Sequence, residues 1–160
     1  MNKIFSRAGR VLALSAVTAA GLGLGLAAAP AEAAADSAVI AVTEQPGNYL
    51  KVNIDVVFHM TPAQAQQLKN SGHPIVLRTW GEDPASDDVL YGPDTFKAYD
   101  VTSRGMELHT YYYFKRGTTL NEDSGVFDGE VDDIYIGARL LNPAGSTLRS
   151  VRSNTVHGKF

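Results

Sequence analysis

Two long stretches alternate between apolar and polar residues, and that alternation limits what the chain can fold into. In Tyr49–His59, YLKVNIDVVFH, the residues Leu50, Val52, Ile54, Val56 and Phe58 share one side, while Lys51, Asn53, Asp55 and His59 share the other. In MELHTYYYFKR (residues 106–116), Met106, Leu108, Thr110, Tyr112 and Phe114 oppose Glu107, His109, Tyr111, Tyr113 and Lys115. Successive side chains of a strand point to opposite faces, so this period of two predicts half-buried β-strands. DIYIGARLL (133–141) repeats the pattern, with Ile134, Ile136, Ala138 and Leu140 aligned. A helix would scatter these apolar residues around its circumference.

The remaining segments fit the same architecture. PIVLRTW (74–80) reads as a strand, and AVIAV (38–42) belongs to a flexible leader or a first short strand over residues 34–48. DTFKAYDV (94–101) reads as a strand after a break at Gly92-Pro93, and TLRSVRSNTVHGKF (147–160) as one polar edge strand. The residues Asn142, Pro143, Ala144 and Gly145 mark a turn. TPAQAQQLKNSG is the exception: Thr61 suits an N-cap, Pro62 the first helical position, Gln64 a capping box and Gly72 a stop. Six or seven short strands and one short helix over residues 62–70 predict a mainly β fold. The expected form is an antiparallel two-sheet β-sandwich of immunoglobulin or C2 architecture, with a barrel as the alternative.

The amino-terminal end has a different character. Lys3, Arg7 and Arg10 precede an apolar run from Val11 to Ala29, and small residues of the A-x-A kind follow. This order predicts a secretory signal peptide over residues 1–33, hence export to an extracellular setting, with no transmembrane segment after cleavage. Residues 49–160 then form a single domain. Losing Lys3, Arg7, Arg10 and Glu32 with the leader leaves 11 basic against 16 acidic residues, a balance of −5. That sign disfavours nucleic acid as a partner. The chain has no cysteine, which excludes disulfides, thiolate nucleophiles and cysteine-held metals.

Two acidic stretches lie between predicted strands. One holds Glu82, Asp83, Asp87 and Asp88; the other, LNEDSGVFDGEVDDIYIG (120–137), holds six carboxylates and no Lys or Arg. Calcium takes six to eight oxygen ligands from such loops. The candidate ligand pool is Asp83, Asp87, Asp88, Asn121, Asp123, Asp128, Asp132 and Asp133, and the only cofactor expected is Ca²⁺. EDPASDD (82–88) resembles the first acidic loop of calcium-dependent C2 sandwiches, and NED (121–123) leading to DDIYIG (132–137) resembles the third. This is a likeness of two loops and assigns the chain to no family. Solvated turns between strands are the competing reading, and the spacing fails the EF-hand pattern.

Other chemistry has weaker support. His59, His73, His109 and His157 lack metal-ligand spacing, and no nucleophile elbow is present, so no catalytic residues are assigned. Tyr111 and Tyr113 stand on the polar side of their strand as candidate partner-binding residues, with burial under the helix or a loop as the competing reading. Trp80, at a strand end beside the first acidic stretch, is expected to pack in the core, with a ligand platform as the competing reading. The sequence therefore predicts a secreted non-enzymatic binding or structural module whose acidic loops either hold stabilising calcium or stand as solvated turns. The alternative is a metal-independent interaction or inhibitor protein that reads an extracellular protein or glycan through an aromatic face. A small carbohydrate-active enzyme is the least favoured class.

Overall fold

The computed structural model describes residues 34–83, 86–120 and 132–160. Nine strands and one helix follow in the order β1 (Ser37–Gln45), β2 (Tyr49–His59), α1 (Pro62–Asn70), β3 (Ile75–Gly81), β4 (Asp88–Phe96), β5 (Asp100–Thr102), β6 (Gly105–Lys115), β7 (Asp132–Leu141), β8 (Thr147–Arg152) and β9 (Val156–Gly158). They form two antiparallel sheets. The first, sheet A, has the order β1-β2-β6-β5; the second, sheet B, has the order β4-β3-β7-β8, with β9 also pairing β7. The chain is thus a two-sheet β-sandwich with one short helix. The expected signal-peptide segment falls outside the described residues, among which no helix is long and apolar enough to cross a membrane.

The alternation sets the core. Leu50, Val52, Ile54, Val56 and Phe58 of β2 meet Ile75 and Leu77 of β3 and Ile134, Ile136, Ala138 and Leu140 of β7 in one buried cluster. Full burial of each such Ile, Leu or Phe side chain contributes about 1.5–3 kcal/mol. The β2–β6 pairing runs without a break from Tyr49↔Lys115 to His59↔Gly105, so the two clearest alternating stretches are neighbours at the centre of sheet A. Tyr112 and Phe114 turn inward, where Tyr91 packs edge-on against both rings. Helix α1 begins as expected, with Thr61 accepting from the Gln64 amide and Gln64 accepting from the Thr61 amide. Its buried residue is Ala65, and Leu68 packs at the core's margin.

Several expectations need correction. Of the two readings of residues 34–48, the strand holds for 37–45, which forms a nine-residue edge strand paired throughout with β2. The stretch 94–101 is not one strand: β4 runs from Asp88 through Gly92 and Pro93 to Phe96, and β5 is a separate three-residue strand in the other sheet. A proline can sit in β4 because an edge strand does not need every N–H. The carboxy-terminal stretch likewise divides. β8 pairs the second half of β7 and β9 pairs its first half, parted at Ser153, whose backbone and hydroxyl both bind Ile136.

Candidate functional site

Glu82, Asp83 and Asp133 come together at one end of sheet B. The Gly81↔Ile134 pairing ends β3 beside the start of β7, and the Glu82 amide donates to the Asp133 carbonyl at 2.7 Å. Glu82, Asp83, Asp133, Thr155 and His157 line a depression of about 490 Å³. Glu82 and Asp83 of the first acidic stretch and Asp133 of the second therefore share this depression. Several carboxylates of this end already have partners within the chain. Glu82 pairs with Arg152 and accepts from the Thr155 hydroxyl, each at 2.6 Å, and these contacts hold its carboxyl below the usual range. Asp133 pairs with His157, and Asp87 accepts from the Tyr135 hydroxyl at 2.6 Å.

Asp88 is exposed at the start of β4, and Asp132 is buried opposite Gly158. Asn121, Asp123 and Asp128 lie outside the described residues. Among the described residues, no three His, Asp or Glu side chains come together as a metal cluster.

The outer face of sheet A holds the tyrosines. Tyr111 and Tyr113 are 53% and 55% exposed, so neither the helix nor a described loop buries them. Their rings meet edge to face at 5.3 Å, and the Lys51 ammonium sits 4.5 Å from the centre of the Tyr111 ring. The register places Lys51 opposite Tyr113 and Asn53 opposite Tyr111, on the two central strands. Two residues along β6 the chemistry changes. His109 lies between Asp55, at 2.6 Å from Nδ1, and Glu107, at 3.3 Å from Nε2. The Glu107 side chain is only 4% exposed and receives Arg104 through Nε and Nη2, together with the Thr102 hydroxyl. Arg104 first, then Thr102, holds the Glu107 carboxyl down at about 2. Asp55, and then Glu107, hold the His109 imidazole above its usual value despite opposing desolvation. Alternation placed Glu107 on the polar face but gave no sign of this network, because its partners come from a turn and two other strands.

The outer face of sheet B carries a feature that sequence reasoning missed. Trp80 is not in the core; it stands half-buried on this face, directly opposite Tyr135 in the register. The two rings are nearly parallel, with an interplanar angle of 8° and centres 6.2 Å apart. Arg152 covers the other ring at 3.6 Å from the Tyr135 centre, and Arg78 lies 5.9 Å from Trp80. Burial, and then the bond to Asp87, push the Tyr135 hydroxyl up to about 12. Gly137 makes room for this row, since a Cβ there would stand 2.9 Å from the Trp80 indole nitrogen. The row borders a cleft of about 420 Å³ that also reaches Arg139 and Ser150.

No protein-family model, curated protein or solved structure matches this chain.

Proposed function

We propose that this chain is a secreted, non-enzymatic binding module that recognises an extracellular protein through the Tyr111–Tyr113 face of sheet A. The observation that carries the reading is the exposed edge-to-face tyrosine pair, with Lys51 against it, on the two central strands of the sheet. Tyrosines supply large contact area at low conformational cost and are enriched where binding energy concentrates. The 69° angle between the rings favours a protein over a glycan. A polysaccharide lying flat on a sheet needs aromatic planes that face the same way, whereas a protein surface can enclose an upright ring. The His109–Glu107 pair is structural in this reading, because Arg104 and then Thr102 hold the Glu107 carboxyl at about 2, too weak a base to activate the Thr102 hydroxyl.

The test is retention of extracellular proteins from the producing organism on the immobilised protein. A partner held by the wild type and by Asp83→Asn/Asp133→Asn, and lost from Tyr111→Ser/Tyr113→Ser, supports the reading. Equal retention by the tyrosine variant contradicts it.

The convergence of Asp83 and Asp133 favours a second reading, in which calcium joins the two acidic loops and stiffens that end of the sandwich. The internal partners of Glu82, Asp87 and Asp133 weigh toward the metal-independent form. The two readings differ in whether added calcium raises stability.

A further inference from the structure

The cleft on sheet B combines a flat ring and several cationic donors. Its lining includes Arg78, Arg139 and Arg152, three of the six arginines that follow residue 33, and among the described residues it contains neither Asp nor Glu. This concentration of positive charge occurs in a chain whose overall balance is acidic. Screening confines interactions between exposed charges to about 8 Å at physiological salt, so the local field of the cleft dominates there.

The three arginines are not equivalent. Arg152 is committed, paired with Glu82 at 2.6 Å and stacked on Tyr135. Arg78 and Arg139 make no ion pair among the described residues, and Arg78 Nε is shielded from solvent without any hydrogen-bond partner. A buried donor without an acceptor carries a free-energy cost that a bound acceptor offsets. Guanidinium is also the cation best shaped for two-pronged bonds to carboxylate or phosphate. Trp80 adds a planar apolar surface at the same place, and Ser150 adds a hydroxyl. A volume of about 420 Å³ suits a small molecule rather than a polymer segment.

We propose that this cleft binds a small organic dianion, namely a phosphate monoester carried on a flat ring. The phosphate bridges Arg78 and Arg139, and the ring lies against Trp80. Two uncommitted guanidinium groups favour two negative charges over one, and a phosphate monoester carries about −1.5 to −2 at neutral pH. This site is separate from the tyrosine face and stands or falls independently of it.

Trp80 is the chain's one tryptophan, so its fluorescence reports on the cleft directly. Phenyl phosphate, phenyl sulfate and inorganic phosphate are the probes, titrated into the purified protein with calorimetry as a second readout. Phenyl phosphate is expected to change Trp80 emission saturably. Phenyl sulfate, with the same ring and one charge, and inorganic phosphate, with no ring, should each bind about tenfold more weakly or worse. Arg78→Met and Arg139→Met should each weaken phenyl phosphate about tenfold or more, as loss of a charged hydrogen bond does. Arg78→Lys, which keeps the charge but not the fork, should fall between. Arg116→Met, at the ion pair with Glu44, should bind as the wild type does. Absence of saturable binding by both readouts overturns the proposal. So does equal affinity for phenyl sulfate, or undiminished binding in a folded Arg78→Met/Arg139→Met protein.

Discussion

The two sheets turn different chemistry to solvent. On sheet A the charged residues neutralise one another: Arg104, Glu107, His109 and Asp55 form a closed chain of contacts, and the tyrosines stand clear beside it. On sheet B the arginines gather around Trp80 and Tyr135, and only Arg152 among those three has a carboxylate partner among the described residues. Both faces come from strands with the same period-two pattern. The difference lies in what each outward residue meets on the neighbouring strand. Sheet A thus holds a satisfied network that fixes structure, whereas on sheet B Arg78 and Arg139 make no ion pair among the described residues.

The largest effect that separates the faces comes from their glycines. Gly105 opens β6 at φ +133°, and a Cβ there would collide with the Phe58 carbonyl and lie 2.7 Å from the Met60 amide. Backbone atoms cannot step aside, so Gly105→Ala should cost about 3 kcal/mol or more in denaturant unfolding. Gly137→Ala on sheet B meets only the indole nitrogen of Trp80, a side chain that can swing. It should cost about 1 kcal/mol and shift Trp80 emission. Comparable losses from both substitutions would erase the contrast.

The Glu107 network comes next. Glu107→Gln removes the charge that holds Arg104 and His109, and should cost about 1–3 kcal/mol near neutral pH. The pH dependence has a definite sign. Glu107 has a folded-state value of about 2 against 4.5 for the free group, so its contribution is present above 4.5 and is lost as the pH falls through 2. His109 is raised above 6.5, so its contribution is full below 6.5 and fades as the pH rises through the folded value. Melting temperatures across this range should show a shallower acid limb in Glu107→Gln than in the wild type. An unchanged acid limb would mean that the network does not stabilise sheet A.

The smallest effect belongs to Arg139. With no ion pair among the described residues to lose, Arg139→Met should leave stability within about 0.5 kcal/mol of the wild type by thermal unfolding. A larger loss would place Arg139 in the structural class occupied by Glu107.

The parts of this molecule that were legible in the sequence are those governed by local rules. Leu50 to Phe58 and Ile134 to Leu140 announced their buried faces, and Thr61, Pro62 and Gln64 announced the helix start, because period and capping act over a few residues. The failures involve neighbours across strands. Gly92 and Pro93 resembled a boundary, yet an edge strand accommodates both. Ser153 divided β8 from β9 through bonds to Ile136 that only the register creates. Trp80, Tyr135 and Arg152 belong to three separate stretches, and no local pattern announces that they stack. For the same reason Asp83 and Asp133 were legible as acids, but the partners of Asp133 and Glu82 were not.

The central claim is that binding is presented by the sheet faces and does not depend on metal in the acidic loops. Thermal unfolding of the purified protein after chelation, followed by calcium titration, tests it most directly. A ligand that binds only the folded state raises stability in proportion to RT ln(1 + [L]/Kd). The account predicts a midpoint that is the same with chelator and at every calcium concentration. A saturable rise with calcium, abolished in Asp83→Asn/Asp133→Asn, would contradict it and make the acidic end a cation site.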